Sequence, residues 1–102
     1  ARVITEASHP FRIVHVNPSW MSLCGFTEEE AVGKTLSIIQ GPATDFDAIQ
    51  ELEKNVNSCR YAATILLNYK KGGEPFVNFL QTIPLVNEDG AITHFLGILE
   101  DL

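Results

Sequence analysis

Apolar and polar positions along this chain change period three times, and each change marks a new kind of element. Arg2–Glu6 and Phe11–Val16 alternate, with Phe11, Ile13 and His15 set against Arg12, Val14 and Val16. A period of two predicts two strands, joined by a turn at Ser8-His9-Pro10. Asn17-Pro18 stops the second strand and opens a short helix, which buries Trp20, Met21, Leu23 and Cys24 and ends at Gly25. Thr27 and Glu30 have capping-box spacing, so one helical turn through Val32 follows, closed by Gly33. From Thr44 the period becomes helical: Phe46, Ile49, Leu52 and Val56 fall at steps of three, three and four. Asp45, Asp47, Glu51, Glu53 and Lys54 take the other side, with Thr44 or Asp45 as N-cap and Asn57-Ser58 as the end. The β period then returns over 60–70, 75–86 and 91–100, with hairpin turns at Gly72-Gly73 and Glu88-Asp89-Gly90.

The 102 residues support one core and not two, so 1–102 is read as a single domain of mixed α/β class. The chain opens on a strand and its only methionine is Met21, which leads us to expect a domain of a longer protein. No apolar run approaches the roughly 18 residues of a membrane span, and no leader pattern is present. An intracellular domain, cytoplasmic or nuclear, is expected. The formal charge is −6 and the seven basic residues are scattered, with only Lys70 and Lys71 adjacent. Phosphate binding by counterion release needs clustered cations, so neither nucleic acid nor an anionic membrane is an expected partner. Cys24 and Cys59 have neither CxxC nor zinc spacing and read as reduced, partly buried thiols.

Residues 33–45, GKTLSIIQGPATD, resemble the signature segment of light-oxygen-voltage (LOV) domains, the flavin-binding branch of the PAS family. Gly33, Gln40, Gly41, Pro42, Thr44 and Asp45 stand where that pattern wants them. Asn17-Pro18 with Gly25-Phe26-Thr27 and Glu30 resembles the opening helix of PAS domains. Leu67-Asn68-Tyr69 through Asn78 resembles the LOV hairpin, and Asp89-Gly90 with Phe95 and Gly97 resembles the closing strand. The resemblance implies an α+β PAS fold: a five-stranded antiparallel sheet with short helices and one longer helix on one face.

It also implies a pocket altered at the positions that carry the chemistry. Gln40, Asn68 and Asn78 correspond to the amides that read a flavin ring. Thr35 stands at an Asn position, Leu36 at that of the photoactive Cys, and Leu99 at that of the signalling Gln. Ser37 and Glu53 stand where two arginines hold the phosphate. Leu66, Leu80 and Phe95 complete the implied wall. A hydrogen bond to a charged group contributes about 1.5–3 kcal/mol. Losing two arginine contacts therefore weakens FMN binding by roughly 3–6 kcal/mol, on the order of a hundredfold to ten-thousandfold. No tightly bound cofactor is expected; FMN or riboflavin are the candidates, and a dephosphorylated flavin is accommodated more easily. Asn68 and Asn78 have an alternative role, bonding each other within a pocket that holds no ligand. Haem is not expected, since His9, His15 and His94 lie on strands or a turn. Nor is an enzyme, because no nucleophile, base and carboxylate occur in catalytic order.

With Asn68, Asn78 and Leu99 facing the pocket, the period of two sends Ile65, Leu67 and Tyr69 to the sheet's other face. It also sends out Val77, Phe79, Gln81, Ile83, His94, Leu96 and Ile98. Ile65, Leu67, Phe79, Ile83, Leu96 and Ile98 form the candidate interface, since a large exposed apolar patch marks a partner site. Its expected partner is a flanking helix or another PAS domain, in a homodimer or heterodimer. The expected function is that of a PAS regulatory and interaction module in signal transduction, without cysteinyl-flavin photochemistry. The alternatives are a flavin sensor working through reduction or radical formation, and a sensor binding an apolar metabolite.

Overall fold

The computed structural model describes residues 1–58 and 60–102; Cys59, one of the two thiols considered above, lies outside the described residues. In chain order the elements are β1 (Arg2–Glu6), β2 (Ile13–Val16), α1 (Pro18–Cys24), α2 (Glu28–Ala31), a 3-10 turn (Leu36–Ile39) and α3 (Phe46–Asn57). Strands β3 (Ala62–Tyr69), β4 (Pro75–Val86) and β5 (Ile92–Asp101) follow. They form the expected five-stranded antiparallel sheet, in the order β2-β1-β5-β4-β3. Two hairpins place β3, β4 and β5 side by side. β1 then pairs with β5 at the centre, Val3 opposite Gly97. Gly97 is required there, because a Cβ at that position would come within 2.8 Å of Val3 Cγ1.

Local chemistry explains the helix ends. Asn17 Oδ1 accepts from Trp20 N–H and from Arg2 N–H, capping α1 while tying it to the edge of β1. Gly25 closes α1 in the left-handed region, and its N–H donates to Met21 O. The Thr27–Glu30 capping box is complete, and Glu30 also meets Lys71 from the β3–β4 turn. The Lys71 hydrogen bond, with the bond from Thr27 N–H, holds the Glu30 carboxyl below the ordinary range. Asp45 caps α3 through Asp47 N–H and Ala48 N–H.

Three expectations about β2 and α3 are corrected. β2 starts at Ile13, because Phe11 takes a left-handed φ of 62° and cannot begin a strand. Within β2 the alternation breaks. Ile4 pairs with His15 but Thr5 with Ile13, so a bulge at Val14 turns both Ile13 and Val16 inward and leaves His15 exposed. Phe46 is 66% exposed, although it continues the apolar stripe of α3. It opens the helix, with no preceding turn to pack beside, and α3 meets the sheet chiefly at the edge strand β3. The buried stripe is Ile49, flanked by half-buried Leu52 and Val56.

The turn Gly41-Pro42-Ala43-Thr44 covers the free edge of β3. Thr44 Oγ1 donates to Leu67 O at 2.7 Å and accepts from Gly41 N–H at 2.9 Å. Ala43 N–H donates to Tyr69 Oη at 3.0 Å. Tyr69, expected on the outer face, instead turns over the edge and lays its ring on Gly41, where a Cβ would sit 2.3 Å from ring carbons. We expect Gly41→Ala to destabilise the domain by about 1–3 kcal/mol, the usual cost of overpacking. In a Tyr69→Ala background the same change should cost much less; a double-mutant cycle by urea denaturation measures the difference.

Candidate functional site

Two adjoining cavities lie between α3, the 3-10 turn and the sheet. The larger holds about 190 Å³ and the smaller about 40 Å³; Leu36, Gln40, Ile49 and Leu52 border both. Thr35, Leu36, Gln40 and Phe95 line the larger. Leu66, Asn68, Leu80 and Leu99 line the smaller, with Leu36 and Gln40. Asn78 is fully buried and donates its Nδ2 to Asn68 Oδ1 at 2.9 Å, while its Oδ1 accepts from Glu100 N–H at 3.2 Å. Residues scattered from 35 to 99 therefore converge on one region, because the antiparallel register sets Leu80 opposite Leu99 and α3 covers that face.

The 3-10 turn and α3 give the larger cavity part of its polar lining. Thr35, Ser37 and Glu53 line it, Ser37 and Glu53 being exposed, and Thr35 Oγ1 lies 2.7 Å from Ser37 Oγ while also accepting from Ser37 N–H. The hydroxyls are thus occupied in capping the 3-10 turn. No lysine or arginine lines this cavity among the described residues, and Glu53 is its sole charged side chain there. Toward the strands, Thr5, Thr82, Phe11 and Phe95 complete the wall. Sequence reasoning missed Phe11, whose ring stands edge-on to Phe95 at 6.1 Å. Pro10 was the only available signal, as a mark that the turn could run one residue further.

Cys24 lines neither cavity. It sits in the core at the end of α1, where burial pushes its thiol up to about 12, beyond the lowering effect of Lys70 and the N-terminus. Among the described residues no group of His, Cys, Asp and Glu could hold a metal ion, and no helix is long and apolar enough to cross a membrane.

On the opposite face the register sets Ile65 beside Phe79, Leu67 beside Val77 and Ile83 beside Leu96. Ile98 pairs with Gln81 and lies diagonal to Phe79, within reach of an aromatic ring. Ile4 of β1 pairs with Leu96 and extends the strip. Ile65 is 59% exposed and the other five expected interface residues are half-buried. Gln81 interrupts the strip and accepts a hydrogen bond from Tyr61 Oη.

The family described as PAS domain matches residues 3–102, and the chain belongs to it. It is 36% identical over 90 residues to the blue-light-activated histidine kinase 1 of Erythrobacter litoralis, covering 88% of this chain and 25% of that protein. It is 35% identical over 98 residues to phototropin-1A of Oryza sativa subsp. japonica, covering 94% of this chain and 10% of that protein. The chain therefore spans a quarter or less of either relative. A solved structure described as "Flavin Analogue Sheds Light on Light-Oxygen-Voltage Domain Mechanism" superposes with a TM-score of 0.93 at 29% identity. That match covers 99% of this chain and 76% of the other. The domain is a PAS module with the LOV fold, a sensor domain of signal transduction.

FMN, which the resemblance implies, fits this site in part. Apolar walls and the Gln40 and Asn68 amides suit a planar ring with hydrogen-bonding edges. At the positions where the resemblance puts the phosphate-holding arginines stand Ser37 and Glu53, a hydroxyl and a carboxylate, and the described lining supplies no cation for a phosphate.

The Cys24 environment gives a direct test. A neutral, buried thiol is a poor nucleophile. We expect Cys24 to resist iodoacetamide at pH 8 in the native protein and to react fully in denaturant, as read by peptide mass mapping.

Proposed function

We propose that this domain is a LOV-type PAS sensor module that signals by protein–protein contact and does not form a cysteinyl-flavin adduct. The observation that carries this reading is Leu36. It borders both cavities, at the position where the resemblance puts the reactive thiol, and an isobutyl group has no nucleophile to offer. The described thiol, Cys24, lies in the core away from both. The domain performs no catalysis of its own; it passes a change in its cavity to a partner. The strand geometry supports such coupling, since Leu99 faces the cavity while its neighbour Ile98 lies on the outer face.

A second reading is favoured by a separate observation. The Asn68–Asn78 pair bonds internally, and the cavity of about 190 Å³ adjoins the smaller one that Asn68 lines. That space supports binding of a flavin ring or a comparably flat apolar molecule, sensed by reduction or radical formation rather than by a thiol. Weak flavin binding without adduct chemistry is compatible with both readings.

The outer strip is the proposed contact surface, and we assign it to a second copy of the domain. Burying an apolar side chain contributes about 1.5–3 kcal/mol, and association costs about 4–15 kcal/mol. Because most of the six are already half-buried, about half of that gain remains, roughly 5–9 kcal/mol for Ile65, Leu67, Phe79, Ile83, Leu96 and Ile98 together. This still falls within the association cost, whereas one or two could not reach it. The same face would receive another PAS domain in a heterodimer, by the same pairing chemistry.

Two measurements test these readings. In protein reconstituted with flavin, blue illumination should produce no near-ultraviolet absorbing species that recovers in the dark; such a species would refute the assignment of Leu36. In sedimentation equilibrium the parent chain should self-associate, and Phe79→Glu or Leu96→Glu should give a folded monomer. A monomeric parent, or variants that unfold, would overturn the interface.

A further inference from the structure

We infer that the larger cavity selects a ligand with an uncharged tail and discriminates against the phosphorylated form of the same ring. The inference rests on the reading of the cavity as a site for a flavin-type ring and concerns its rim. Ser37 and Glu53 line the cavity and are exposed, with half-buried Thr35 beside Ser37. Thr35 and Ser37 bond their hydroxyls to each other, and Thr35 Oγ1 also accepts from Ser37 N–H. They offer a polar, neutral surface suited to the hydroxyls of a sugar alcohol chain. Glu53 adds a negative charge that no lysine or arginine among the described lining residues offsets.

Arg2, Arg12, Lys34 and Lys54 are next in sequence to lining residues; all are exposed and none lines the cavity. Lys54 follows Glu53 in α3, but consecutive helical residues point about 100° apart, and Lys54 is exposed outside the lining. Lys70 pairs with Glu74 and Lys71 with Glu30, both away from this rim. The chain as a whole carries a formal −6. A phosphate monoester brought to the rim thus meets a carboxylate and no cation from the described lining residues.

The size of the effect follows from exposure. Glu53 is on the surface, so the repulsion is that of charges in water-like dielectric, about fivefold per unit charge at contact distance. A phosphate monoester carries about 1.5–2 negative charges near neutral pH. Discrimination of about tenfold is therefore expected at low salt, fading as ionic strength shortens the screening length.

Riboflavin and FMN share one ring and differ by the phosphate, and lumiflavin carries the ring without the tail. Fluorescence titration of the full chain with all three separates the contributions. Riboflavin should bind about tenfold tighter than FMN at low salt, with the ratio shrinking as salt is raised. Glu53→Gln should bring the two affinities together, and Ser37→Arg with Glu53→Arg should reverse the order; both positions are exposed, so the variants should keep the parent circular dichroism. If lumiflavin and riboflavin bind but FMN binds as tightly as riboflavin, the inference is overturned and the ring reading stands. If none of the three binds, the ring reading falls and the inference with it.

Discussion

The pairing of β1 with β5 is the constraint on which the rest of the structure depends. It joins the first strand to the last across nearly the whole chain, and Leu99 N–H donates to Ala1 O at 2.8 Å to extend the ladder. Without it the three-strand meander and the β1–β2 hairpin would be separate small sheets, the two-stranded one marginal in water. With it, one face of five strands becomes available to the helices and the other is left uncovered. Closing so long a loop costs entropy, which the fully buried Val3 and the absence of a side chain at Gly97 help to offset by close strand packing.

The edge at β3 is managed differently. Thr44 and Tyr69 satisfy backbone groups of the strand and of the turn beside it, so the Gly41–Thr44 segment acts as a cover and not as a ladder partner. That cover also sets the start of α3 and hence the roof of the larger cavity, which ties the most recognisable motif in the chain to the geometry of the site. The same roof carries Glu53, so one helix supplies both the apolar ceiling through Ile49 and the one charged side chain in the described lining.

Much of this was legible in the residues. The capping box at Thr27 and Glu30, the closing Gly25, the Asp45 cap and the two hairpin turns are local chemistry, decided within four or five positions, and each occurs where the pattern put it. β4 matches its expected span of 75–86, because a long alternating run between two glycine turns has one register that buries its apolar face. The site residues were found through the resemblance; spacing alone could not bring Thr35 and Leu99 together.

Sequence alone determined the element order, the helix caps, the turn positions and the chemical identity of the groups at the cavity, including a leucine and a glutamate. These depend on neighbours along the chain or on residue type. Only the tertiary structure decided that Val14 bulges and sends Val16 inward, that Phe46 stays in water, and that Tyr69 folds over Gly41. It also decided that the two buried amides bond each other, with Asn68 lining the smaller cavity. Each of these outcomes depends on which strand or helix lies alongside, and a period counted along one segment cannot report its neighbours in space.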